Sequence, residues 1–98
     1  IVEIARLTID PAQAEAFHAA VAQCAPLFQR AVGCTAMSLE REVEDKSRYC
    51  LRVEWETLEN HLDDFRNSTD FQTWRSLAGR FFKELPEVAH TQLVAKFF

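Results

Sequence analysis

Residues Tyr49 to Arg75 read YCLRVEWETLENHLDDFRNSTDFQTWR. The opening alternates, with Tyr49, Leu51, Val53 and Trp55 on one side and Cys50, Arg52 and Glu54 on the other. Period two is the spacing of a strand with one buried face. The alternation stops at Trp55. Thr57 then offers an N-cap oxygen, and Glu59 sets a negative charge at the positive end of a helix. Leu58, Leu62 and Phe65 follow at helical spacing and predict a buried stripe. Asn67-Ser68-Thr69-Asp70 interrupts the run, and Ser68 or Asp70 can cap a second one. There Phe71, Trp74, Ala78, Phe81 and Leu85 recur every three or four residues until Pro86 stops the helix. The stretch is therefore a strand followed by a helix in two pieces.

Working outward, Cys34 to Val43 predicts a preceding strand. Thr35, Met37, Leu39 and Val43 share one face and Ser38, Glu40 and Glu42 the other. The polar turn Glu44-Asp45-Lys46-Ser47 makes the two strands a hairpin. Ile1 to Ile9 reads as a strand covered on both sides, with Val2 and Ile4 on one face and Ala5, Leu7 and Ile9 on the other. Asp10 and Pro11 fit the cap and first position of a helix carrying Ala14, Phe17, Ala20, Val21, Cys24, Leu27 and Phe28. Pro26 is expected to kink that helix or end its regular part near Cys24, and Gly33 to close the segment. Val88 to Phe98 predicts a last strand, with Ala89, Thr91, Leu93, Ala95 and Phe97 opposite His90, Gln92, Val94 and Lys96.

The order is β-α-β-β-α-β with a split second helix, the ferredoxin-like α+β arrangement of one antiparallel four-stranded sheet. A single domain over 1–98 is expected from the length of 98 residues. Both helical elements belong on one sheet face. The other face has no cover from its own chain, and the last strand is rich in phenylalanine to its end. Both features predict a homodimer packed sheet to sheet.

Hydrophobic residues make up 48% and charged residues 27%, an ordinary globular mixture. The net charge of -4 and pI near 5.3 argue against a nucleic-acid footprint, which needs a basic stripe. No apolar run approaches the ~18 residues of a membrane span. Glu3 and Arg6 break up the first stretch, so it is no signal-peptide core. The missing initiator methionine is expected of a chain trimmed at its N-terminus. Cys24, Cys34 and Cys50 are odd in number and form no CxxC pair, which predicts reduced thiols in a cytoplasmic protein. His18, His61 and His90 stand on three different elements without HxxxH or HxH spacing, so no metal site is expected.

His61 lies one turn after Leu58 and one before Phe65, on or beside the face that packs on the sheet. A histidine there is either a bonded core-edge residue or, in a pocket between helix and sheet, a general base or substrate hydrogen-bond partner, since imidazole exchanges protons near neutral pH. Trp55, at the end of its strand, is either core or the aromatic wall at the mouth of a helix–sheet cavity. Phe65 and Trp74 carry the same pair of readings. Arg75 flanks the second apolar run, either solvated or anchoring a substrate oxyanion or carbonyl. Arg66, Asn67 and Ser68 form the loop over the helix break. His90 is expected to point toward the partner protomer.

The run WETLENHLDDFRNSTDFQTWRSL, followed by FFKELPEVAH, resembles the antibiotic biosynthesis monooxygenase family of dimeric α+β-barrel proteins. The resemblance covers nearly the whole chain. It rests on strand order, the W-x-T-x-E-x-H run from Trp55 to His61, and the P-x-V-x-H run from Pro86 to His90. Relatives of this fold include cofactor-free quinol and anthrone oxygenases, haem-degrading oxygenases and lactone isomerases. The resemblance implies a monooxygenase that needs no cofactor and acts with molecular oxygen on a small quinol-like or polycyclic aromatic substrate. It places that substrate between helices and sheet. Trp55 matches the family tryptophan, His61 stands where the family places a pocket tyrosine, and Arg75 where a pocket arginine is expected. Leu51 takes the pocket position where anthrone-oxidising members carry an asparagine. His61 is then the expected catalytic base, with Trp55, Arg75, Leu51, Phe65 and Trp74 around the substrate. The alternatives are a non-catalytic ligand-binding homodimer of the same fold and a haem-binding or isomerase relative. For haem, the first strand has Arg6 where haem-degrading relatives use an asparagine, and Phe71 to Leu85 holds no histidine.

Overall fold

The alternation around Ala5, Leu7, Leu51 and Val53 produces a four-stranded antiparallel sheet in a computed structural model that describes residues 1–98. The strands are β1 (Val2–Thr8), β2 (Cys34–Arg41), β3 (Arg48–Trp55) and β4 (Glu87–Thr91). Their order is β2-β3-β1-β4, the ferredoxin-like order expected from the sequence. Register pairs Ala5 with Leu51 and Leu7 with Tyr49 on β3, and Ala5 with Val88 and Glu3 with His90 on β4. Directly opposed residues share a face, so Glu3 and His90 lie on the same side as the apolar residues Ala5 and Leu7.

Helix α1 (Ala14–Gln29) buries Phe17, Ala20, Val21, Cys24 and Phe28. Asp10 caps the short 3₁₀ turn Pro11–Gln13 ahead of it, with Oδ1 accepting from the Ala12 N–H at 2.9 Å. Pro26 does not end the helix, which runs on to Gln29. The Arg30 N–H still bonds the Pro26 carbonyl at 3.2 Å, so the turn after the proline is kept. Gly33 closes the segment at φ 79°, a left-handed conformation that suits glycine.

Thr57 does cap the next helical element. The Asn60 N–H donates to Thr57 Oγ1 at 3.2 Å, and the Thr57 N–H donates to Asn60 Oδ1 at 3.0 Å, a reciprocal box. The element then widens into a π-helix over Asn60–Phe65, where the Arg66 N–H reaches back five residues to the His61 carbonyl at 3.2 Å. The extra residue per turn rotates the predicted stripe. His61 and Phe65 are buried, and Leu58 and Leu62 are only half-buried.

Helix α2 (Thr69–Leu77) starts at Ser68, whose Oγ accepts from the Phe71 N–H at 3.1 Å. It ends eight residues before Leu85. A 3₁₀ turn, Gly79–Phe81, follows it, and Leu85 is exposed. Arg30 grips Asp70 with two hydrogen bonds of 2.8 and 2.7 Å, tying α1 to α2. Two strands are shorter than expected. β2 stops at Arg41 and leaves Val43 exposed, and β4 stops at Thr91, with Leu93, Val94, Phe97 and Phe98 exposed.

The core lies between the sheet and the helices and joins Ala5, Leu7 and Ile9 to Leu51, Val53, Trp55, Phe17, Phe28, Phe65 and Trp74. Phe17 sits at its centre, edge-on to Tyr49 at 5.1 Å. Removing so buried a ring costs about 3–5 kcal/mol. No helix is long and apolar enough to cross a membrane.

Candidate functional site

Between the β1–β3–β4 face and the segment from His61 to Pro86 lies a half-open cleft of about 660 Å³. Its apolar walls include Leu51, Phe71, Trp74 and Phe82, and Arg66, Arg75 and Lys83 add positive charge. At one end it meets Glu3 and His61, whose relative exposures are only 6% and 3%.

The buried end is a chain of polar contacts built from four elements. Trp55, on β3, donates its Nε1–H to Glu3 Oε1 at 3.0 Å. The same oxygen lies 3.3 Å from His61 Nε2. His61 Nδ1 in turn lies 2.8 Å from His90 Nε2 on β4. The His61 ring stacks on Trp55 with 5.4 Å between centroids and 17° between planes. Local structure explains this convergence. The β1–β4 register sets Glu3 opposite His90, and the π-turn swings His61 down between them.

Burial sets the charges. It holds His61 down to about 4, with Arg66 and His90 acting in the same direction. His90 is lowered by burial and then by Arg66. Burial pushes Glu3 up, against the opposing pull of the Trp55 hydrogen bond and Arg66. Both imidazoles are therefore neutral at pH 7, each with one ring proton. With Glu3 ionised, one arrangement of those protons suits both contacts. His90 Nε2–H donates to His61 Nδ1, and His61 Nε2–H faces Glu3. Glu3 Oε1 thus meets two donors, and Oε2 has none within the chain.

Of the residues expected at a site, His61, Leu51, Trp74 and Arg75 line the cleft. Trp55 and Phe65 do not. Trp55 is 2% exposed and Phe65 3%, both packed behind the cleft surface. His90 is not turned to the outer sheet face, because its pairing with Glu3 fixes it on the helix side. Glu3 escaped notice as a site residue. The signal was available, since Glu3 shares parity with Ala5, Leu7 and Ile9 and so puts a carboxylate on a core face. His18 lies elsewhere, with Nε2 2.7 Å from the Tyr49 hydroxyl. No group of three or more His, Cys, Asp or Glu side chains is placed to hold a metal ion.

Comparison with known proteins places this architecture. The family model for antibiotic biosynthesis monooxygenases matches residues 1–77. The uncharacterised protein YczJ of Bacillus subtilis is 39% identical over 90 residues, covering 92% of this chain and 95% of YczJ. A crystal structure from Bordetella bronchiseptica, provisionally named an antibiotic biosynthesis monooxygenase, is 49% identical. It covers 96% of each chain with a TM-score of 0.93. A similarly named Nitrosomonas europaea protein shares the fold at 18% identity, with a TM-score of 0.81 over 95% of this chain and 89% of its own. The matched region contains β1, β3 and the π-turn, and the chain belongs to the antibiotic biosynthesis monooxygenase family.

Proposed function

We propose that the chain is a cofactor-independent monooxygenase of a quinol-like or polycyclic aromatic substrate bound in the cleft. The observation that carries this reading is a cleft of about 660 Å³ with apolar walls at Leu51, Phe71 and Trp74, ending on the buried Glu3–His61–His90 chain. Leu51, Phe71 and Trp74 offer flat apolar contact, and Arg75 stands on the wall to meet a substrate carbonyl or oxyanion.

The chemistry asks little of the protein. A basic group at the buried end removes a proton from the electron-rich substrate, and the anion reacts with dioxygen. At a methylene carbon, dioxygen adds to give a hydroperoxide, which loses water and leaves a carbonyl. One substrate CH₂ and one O₂ thus become C=O and H₂O, and the substrate itself supplies the electrons. The chain's part is to bind, deprotonate and exclude bulk water.

A homodimer belongs to the same reading. Its support is the outer sheet face, where Val2, Ile4 and Ala36 receive no helix, together with the exposed Phe97 and Phe98. The test of function is oxygen uptake with a panel of quinols and anthrones, comparing wild type with His61→Ala. Uptake by the wild type that falls in the variant supports an oxygenase. No uptake on any substrate favours the non-catalytic ligand-binding dimer.

A further inference from the structure

We propose that Glu3, through Oε2, is the atom that takes the substrate proton, and that His61 and His90 are positioning residues that hold its carboxylate. This rests on the oxygenase reading of the cleft and deepens it.

Three observations carry it. Glu3 lines the cleft, and its two oxygens are used unequally. Oε1 meets the Trp55 N–H at 3.0 Å and His61 Nε2 at 3.3 Å, whereas Oε2 has no partner in the chain. A carboxylate fixed through one oxygen presents the other in a set direction. Next, His61 Nδ1 is taken by His90 at 2.8 Å, and its Nε2 is turned to Glu3 Oε1 at 3.3 Å. To accept a substrate proton His61 must first give up one of these contacts. Finally, His90 is absent from the cleft wall, so it acts only through His61.

The proton transfer balances within the cleft. The substrate O–H or C–H bond breaks and its electron pair stays on the substrate. The proton bonds to Oε2, and Glu3 becomes a neutral acid. The negative charge moves from Glu3 to the substrate, where Arg66 and Arg75 on the cleft wall meet it. The charged or titratable groups around Glu3 are His61, His90, Arg66 and Cys34. Burial makes this carboxylate more basic than an exposed one.

Two readouts test the assignment. The first is oxygen uptake with anthrone as probe. Glu3→Gln keeps the side-chain volume and the oxygen that accepts from Trp55. It should cut kcat by roughly 100-fold or more and leave KM within about three-fold, the scale of a lost general base. Glu3→Asp should recover part of the rate. His90→Asn should lower kcat less than about ten-fold and move the acid limb of the pH profile, as expected of positioning through His61. The second readout needs no turnover. 2-Naphthol and 2-methoxynaphthalene differ only in whether they offer a proton. Wild type should bind the naphthol about ten-fold more tightly, a preference lost in Glu3→Gln and kept in His61→Asn. A preference that survives Glu3→Gln, or that vanishes only in His61→Asn, overturns the proposal. So does a wild type with no preference. If wild type binds naphthol through Glu3 yet consumes no oxygen, the oxygenase reading fails, and Glu3 stands only as the acceptor of the ligand's O–H.

Discussion

Glu3 on β1 and His90 on β4 stand directly opposite each other in the antiparallel ladder, and His61 descends from the π-turn to touch both. Neither strand residue is near His61 in the sequence. The register of the sheet and one irregular helical turn create the contact, and it places His61 and a carboxylate, backed by His90, at one end of a cleft with apolar and basic walls.

The histidines make stability depend on pH. The folded-state value of His61 lies near 4, below its ordinary 6.5, so the unfolded chain binds more protons between those values. Stability is therefore lost as pH falls from about 6.5 toward 4, by up to about 3 kcal/mol from this residue. The shift at His90 acts in the same direction. The raised value of Glu3 acts oppositely, stabilising the folded state as pH falls through its own window above 4.5. Urea midpoints at pH 7 and pH 5 check this, and His61→Asn should shrink the difference between them.

Arg66 lowers the values of both His61 and His90 by its positive charge. Arg66→Gln should raise both histidines. Histidine titration by NMR reads both in one experiment. The shifts should be partial, because burial is the larger cause at each site.

Trp55 holds Glu3 as well as filling the core. Trp55→Phe keeps an aromatic ring against His61 and deletes the Nε1–H donor. The loss of a donor to a buried carboxylate costs about 1–3 kcal/mol, read as a lower urea midpoint. Because that hydrogen bond pulls Glu3 down, Glu3 should also rise further.

Gly33 bears on the site from a distance. A Cβ there would run into the Asn60 side chain, at a φ of 79° that is already costly for other residues. Asn60 forms half of the capping box that starts the His61 segment. Gly33→Ala should therefore destabilise the chain by more than about 1 kcal/mol. It should also disturb the His61 ring signals, although the two residues do not touch.

Much of the fold was legible because alternation and helical spacing act locally. Tyr49, Leu51, Val53 and Trp55 marked a strand, and Thr57 and Ser68 marked helix starts that the hydrogen bonds bear out. The π-turn was not legible, since Leu58, Leu62 and Phe65 also fit an α-helix and nothing local signals the added residue. That one residue decides which side chains face inward. The side taken by His90 depended on pairing between the first and last strands, which periodicity cannot supply. Glu3 was the nearer miss, because counting by twos from Ile9 reaches it. The helix expected to run on to Leu85 ended early, where a 3₁₀ turn tucks Phe81 and Phe82 against the core.

The most direct test of a ligand cleft ending on the Glu3–His61–His90 chain uses the three histidines as reporters. Wild-type protein labelled with ¹⁵N in its histidine rings is titrated with 2-naphthol and followed by NMR. The ring signals of His61 and His90 should move together and saturably, whereas His18, bonded to Tyr49 outside the cleft, should stay in place. Saturable binding that leaves His61 and His90 unmoved, or shifts His18 instead, would contradict the account.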